Sequence, residues 1–187
     1  MERSDDEPEA EPVLFQERRH DIEIGVEHHD GWFYIYTNDS ALNYRLMKTK
    51  SDQFDRSQWE EVIPHDPLVK IDTLDVFKSY IVVYLRREGL KSIHIIELET
   101  VDRYDLPFEE PVYTAWHGTN LEFDSKVLRF NYSSLTMPAS VYDYDMVTRT
   151  RELRKRQPVL GGFQSENYQS ERIFATSSDG TRVPISL

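Results

Sequence analysis

Apolar and aromatic residues recur along this chain in short alternating runs, the period-two pattern of strands that bury one face. Trp32, Tyr34 and Tyr36 form one run, Tyr80, Val82 and Tyr84 a second, and Leu128, Phe130 and Tyr132 a third. Each residue lies 48 positions before its counterpart in the next run. An even step keeps the face of a strand, so the three runs are expected to be equivalent core strands of three repeats. No long segment carries 3.6-residue periodicity with helix caps, and the chain reads as all-β.

Further strands and turns surround each run. The first repeat spans about residues 22–64. Ile22, Ile24 and Val26 alternate, His28-His29-Asp30-Gly31 turns, Trp32 to Tyr36 is the core strand, and Tyr44 to Met47 and Trp59 to Ile63 complete the set. The second spans about 69–106. Ile71 and Leu74 open it, Tyr80 to Leu85 is an apolar run suited to a strand covered on both faces, and Arg86-Arg87-Glu88-Gly89 turns. Ser92 to Leu98 and Val101 to Leu106 follow. The third spans about 112–158, with Val112, Thr114 and Trp116, then Val127 to Tyr132, Ser140 to Met146, and an exposed strand from Arg149 to Arg156. Ser140 again falls 48 residues after Ser92 and 96 after Tyr44.

Four antiparallel strands in roughly 40–50 residues is the arithmetic of a β-propeller blade, which buries its faces by stacking on its neighbours. A β-sandwich with an accidental spacing is the competing architecture. Val13-Leu14-Phe15 reads as a flanking strand, and residues 1–12, acidic and proline-bearing, as a disordered tail. Residues 159–170 read as a linker. Residues 171–187 read as a hairpin around Ser178-Asp179-Gly180.

Composition narrows the function. With no cysteine among its 187 residues, the chain has neither disulfides nor thiolate metal sites. No apolar run is long enough to span a membrane, and the acidic opening residues predict no signal peptide, so a cytoplasmic location is expected. The net charge of -12 argues against nucleic acid and favours cationic ligands.

Candidate chemistry is sparse. No Gly-x-Ser-x-Gly elbow occurs, so Ser133, Ser134, Ser177 and Ser178 read as turn serines. His28 and His29, beside Glu27 and Asp30, would point to opposite faces of a strand and read as a solvated turn, not a metal site. His94 and His117 lack ligand spacing and read as partly buried side chains. Asp143 and Asp145 share a strand face opposite Tyr142 and Tyr144. That pairing could serve acid–base chemistry, but a polar outer face explains it more simply. Arg149, Arg151, Arg154, Lys155 and Arg156 form a basic cluster that suits a charged edge strand. No catalytic, cofactor or metal residue is assigned.

Longer stretches carry a family resemblance. Asn131-Tyr-Ser-Ser-Leu-Thr-Met-Pro-Ala-Ser-Val-Tyr-Asp-Tyr-Asp-Met146 resembles the last propeller blade of the prolyl oligopeptidase family. Gly162-Phe163, Asn167-Tyr168 and the segment from Ser170 to Leu187 resemble its junction into the hydrolase domain. Arg19-His-Asp-Ile-Glu23 and Trp59-Glu-Glu-Val-Ile-Pro64 are in register with it, and the oligopeptidase B (protease II) branch is the most similar. The resemblance implies about three complete blades of a seven-bladed propeller, followed by the first hairpin of an α/β-hydrolase domain. It implies a serine-type endopeptidase that cuts short, basic peptides after Lys or Arg. Its catalytic serine, aspartate and histidine, and its specificity residues, belong to hydrolase segments that match nothing here. The piece is therefore expected to be inactive alone and to self-associate through open blade faces. A non-catalytic propeller-like scaffold is the alternative.

Overall fold

In the computed structural model, which describes residues 11–187, three four-stranded antiparallel sheets and one hairpin follow each other along the chain. The acidic tail expected over residues 1–12 lies outside the described residues, apart from Glu11 and Pro12, which are exposed. The chain divides into two units, residues 1–65 and 66–187.

The first unit holds one meander: β1 (Ile24–His29), β2 (Trp32–Thr37), β3 (Arg45–Lys50) and β4 (Glu60–Ile63), each paired with the next. Asp30 and Gly31, both at positive φ, make the β1–β2 turn, so His28 and His29 end the strand instead of turning. Tyr34, Ile35, Leu46 and Met47 form its buried centre. Val13-Leu14-Phe15, expected as a flanking strand, joins no sheet. Side chains fix it instead: the Phe15 ring stacks 5.9 Å from Trp59 and meets Phe33 and Phe54 edge-on at 5.3 and 5.6 Å.

The second unit holds two meanders. β5 (Val69–Val76), β6 (Tyr80–Arg87), β7 (Leu90–Glu97) and β8 (Arg103–Asp105) form one. β9 (Tyr113–His117), β10 (Val127–Ser134), β11 (Ser140–Asp145) and β12 (Thr150–Arg156) form the other. The hairpin β13 (Arg172–Thr176) and β14 (Arg182–Ser186) follows. β6 runs through Arg86 and Arg87, which were expected in its turn. The turn is Glu88-Gly89 alone, both at positive φ, a conformation glycine takes without steric cost and which suits the twist of the flanking strands. From Tyr80 to Leu85 every residue of β6 is buried, as the unbroken apolar run predicts.

The repeat is present, but its step is not constant. Tyr36, Tyr84 and Tyr132 each lie on the second strand of a sheet. However, Tyr80, Val82 and Tyr84 of β6 share one core cluster with Leu128, Phe130 and Tyr132 of β10, while Ile81 and Val83 are outside it. The two aromatic rows therefore face each other across the gap between the sheets, and do not look the same way. The cause is visible at the strand starts. β2 begins at Trp32, β6 at Tyr80 and β10 at Val127, steps of 48 and 47. The odd second step inverts the face of every residue in the row. The equivalent positions are Ile35, Val83 and Phe130, each fourth in its strand and each 0 % exposed. Ser92 lies opposite Leu85 and Ser140 opposite Tyr132, each the sixth residue of its second strand, so these two serines do hold equivalent places, whereas Tyr44 precedes β3.

This geometry predicts unequal costs along β10. Phe130→Ala removes a fully buried ring that meets Phe108 and stacks on Tyr142, and should cost about 3–5 kcal/mol. Val127→Ala, on the exposed face at 39 % exposure, should change stability by about 0.5 kcal/mol or less. Urea denaturation of the two variants checks which face of β10 is packed.

Candidate functional site

Three serine hydroxyls in the second unit are taken up by their own backbone surroundings. Ser134 Oγ accepts from the amides of Thr136 and Met137 at 3.1 and 2.8 Å, closing the β10–β11 turn. Ser140 Oγ donates to the Pro138 carbonyl at 2.7 Å, and Ser125 Oγ to that of Val127 at 2.9 Å. Ser133 pairs within the ladder opposite Thr114, and Ser177 and Ser178 lie at the β13–β14 turn. Ser177 and Ser178 are thus turn serines as expected and Ser134 opens a turn, whereas Ser133 belongs to the β10 ladder.

The histidines do not converge. The His28 ring meets Phe33 and the His29 ring meets Tyr34, on the two faces of β2. His94 Nδ1 lies 2.7 Å from an Asp105 carboxylate oxygen, on the neighbouring strand. The His117 ring packs edge-on to Tyr84, 5.9 Å away. Among the described residues, no cluster of three His, Asp or Glu side chains could hold a metal ion.

Asp143 and Asp145 are brought close but differently employed. Arg129 grips Asp143 with two bonds, Nε at 2.7 Å and Nη2 at 2.8 Å, and Arg154 approaches it at 3.4 Å. That guanidinium grip holds the Asp143 carboxyl below the usual carboxylate range. The amides of Thr148 and Val147 hold Asp145 low in the same sense. Acid–base catalysis by two carboxylates needs one of them raised, and here both are lowered.

The basic cluster is largely neutralised. Arg149 pairs with Asp102 at 2.6 Å and lies over the Tyr104 ring at 4.0 Å, and Arg151 reaches Glu109 at 2.9 Å. Lys155 and Arg156 pair with no carboxylate among the described residues, and all of β12 is exposed, as an edge strand.

The strongest polar construction was not anticipated from the sequence. Asp75 of β5 accepts from Tyr84 OH at 2.8 Å and from Asn120 Nδ2 at 3.0 Å. Asn120 also takes the amide of Arg129 at 2.8 Å and donates to its carbonyl at 3.1 Å. One side chain in the β9–β10 loop thus ties β10 to the sheet before it. Burial, followed by the Asp75 charge, raises the Tyr84 phenol far above its ordinary value, so it stays a neutral donor. Isolated Asp and Asn residues carry no spacing signal, and no motif could have revealed them.

Comparison with known proteins gives this scaffold a context. Residues 2–157 match the family model described as prolyl oligopeptidase, N-terminal beta-propeller domain. Dipeptidyl aminopeptidase BI of Pseudoxanthomonas mexicana is 30% identical over 185 residues, 96% of this chain and 25% of that protein. Protease 2 of Moraxella lacunata is 25% identical over 184 residues, 97% of this chain and 26% of that protein. Oligopeptidase B from Trypanosoma brucei, solved with covalently bound antipain in a closed form, superposes with a TM-score of 0.81 at 35% identity, over 92% of this chain and 26% of that one. The chain spans about a quarter of the length of the curated relatives it matches. No helix among its described residues is long and apolar enough to cross a membrane.

The Asp143 pair makes an acid-stability prediction. Its folded value lies below the ordinary one, so its contribution is complete above the ordinary carboxylate range and is lost as pH falls through the folded value. Asp143→Asn should be less stable than the parent at about pH 6, and the two should converge toward about pH 2. Thermal melts across that range read the difference, and a constant gap refutes the assignment.

Proposed function

Because the chain belongs to the prolyl oligopeptidase family, as part of its N-terminal β-propeller domain, we propose that it is the gating portion of a serine-type oligopeptidase resembling oligopeptidase B. In this reading the propeller covers the active site and admits only short peptides, which are cut after Lys or Arg. The serine, aspartate and histidine that do the cutting are supplied by a hydrolase domain outside these 187 residues. Selection by size then follows from the shape of the cover, and the net charge of -12 helps to gather basic peptides.

The observation that carries this reading is the hairpin. A sheet of two strands is marginal in water unless something packs on it. Ile173 lies opposite Ile185 and Ala175 opposite Val183, which puts one apolar row on one face of the hairpin. Ile173, Val183 and Ile185 are all exposed. A bare apolar row on an undersized sheet suits the first strands of a further domain. The absence of any Gly-x-Ser-x-Gly elbow supports placing the chemistry there.

Three measurements on the isolated chain test the proposal. A serine-directed fluorophosphonate should label nothing, and a small arginine amide should not be hydrolysed. Sedimentation should show self-association, driven by the uncovered apolar surface. Joining the chain to a hydrolase domain of its family should restore turnover of the arginine amide. Labelling of the isolated chain, or a monomer with one cooperative melt that gains no activity in the joined form, overturns the gating reading and favours a scaffold.

A further inference from the structure

The segment that leaves the third sheet is exposed almost throughout. Residues 157–169 contain no buried side chain, and Gly161 and Gly162 both sit at positive φ with nothing near their α-carbons. At the end of this run one residue, Ser170, is buried, and its hydroxyl donates to Glu110 at 3.4 Å. Glu110 lies between β8 and β9, sixty residues earlier in the chain. The same carboxylate accepts from Thr136 Oγ1 at 2.8 Å and from Tyr132 OH at 3.2 Å. Three hydroxyls from three segments therefore converge on one half-buried acid.

The hairpin begins immediately after this point. Glu171 and Leu187 exchange both backbone bonds, at 2.8 and 2.9 Å, extending the β13–β14 ladder to Glu171, next to Ser170. A second fastening lies two residues after Ser170: the Arg172 guanidinium donates to the Glu88 carbonyl and lies 3.6 Å from the Glu88 carboxylate, at the β6–β7 turn. Pro184 rests 3.6 Å from where a side chain on Gly89 would begin. The hairpin thus hangs from a glycine-bearing strap and is held to the sheets at two polar points.

We propose that Glu110 is a latch: with Ser170 engaged the hairpin stays docked, and with Ser170 released it swings on the strap around Gly161 and Gly162. Tyr132 and Thr136 orient the carboxylate toward Ser170, and Arg172 sets the docked angle. The consequence for peptide access rests on the gating reading above. The latch itself does not, and its test needs no peptidase activity.

Amide hydrogen exchange on the full 187-residue chain, read segment by segment, is the test. Ser170→Ala removes one donor and leaves Tyr132 and Thr136 on Glu110. It should accelerate exchange over residues 171–187 by about two- to tenfold, the weight of a single ordinary hydrogen bond. Exchange in β6, β7, β10 and β11 should stay unchanged. Glu110→Ala should accelerate the hairpin at least as much and also touch β10, where Tyr132 loses its acceptor, and Glu110→Gln, which keeps one acceptor oxygen, should do less. Unchanged hairpin exchange in Ser170→Ala overturns the latch. So does acceleration spread evenly over β9 to β12, which would make Ser170 part of the sheet's general stability.

Discussion

A sheet has two faces, and each must find cover before the strand between them can be wholly apolar. This constraint orders the second unit. β6, buried from Tyr80 to Leu85, is the strand most completely enclosed, and its even-numbered row is met by the even-numbered row of β10. The far face of β10 carries Val127 and Arg129, both exposed, and there the apolar pattern gives way to an ion pair with Asp143. Cover on one side of β10 and charge on the other follow from the same rule, applied to a strand with one packed face.

Polar side chains then do what apolar packing cannot, which is to fix one sheet at a definite place against the next. Apolar contact is non-directional, and a flat row of aromatic rings tolerates sliding. Asn120 holds the amide and carbonyl of Arg129 and, through Asp75, the phenol of Tyr84. Tyr104 adds a bond from its hydroxyl to the Met146 carbonyl at 3.1 Å, at another point of the same seam. Both ties are partly buried, where an unmade bond is expensive and a made one is correspondingly specific.

Much of the strand order was legible in the sequence, because alternation and turn chemistry are local. Asp30-Gly31 and Glu88-Gly89 mark their turns by residue type, and every expected four-strand set is present. The facing of β10 was not legible. A single residue of difference between steps of 48 and 47 inverts a strand, and that residue is absorbed in loops whose length carries no pattern. The segment Val13–Phe15 failed for the opposite reason: it looks like a strand, but strands need a partner ladder, and aromatic side chains hold this one. Glu110 was hidden inside Phe108-Glu109-Glu110-Pro111, where an acidic pair between loop residues is indistinguishable from solvated charge until Tyr132, Thr136 and Ser170 are seen to converge on it.

Hydroxyls and carboxylates placed with this economy also argue about where the chemistry of such a protein resides. A nucleophile must be left exposed, strained and paired to a base, which costs the scaffold stability. Ser134, Ser140 and Ser170 are instead closed into turns and latches, and Asp143 and Asp145 are locked into their charged form by Arg129 and by backbone amides. Groups so stabilised give up reactivity for position. Position is also what the proposed gating role asks of these sheets. In the second unit the buried side chains lie mainly in the paired sheets, and the run that ends at Ser170 is exposed almost throughout.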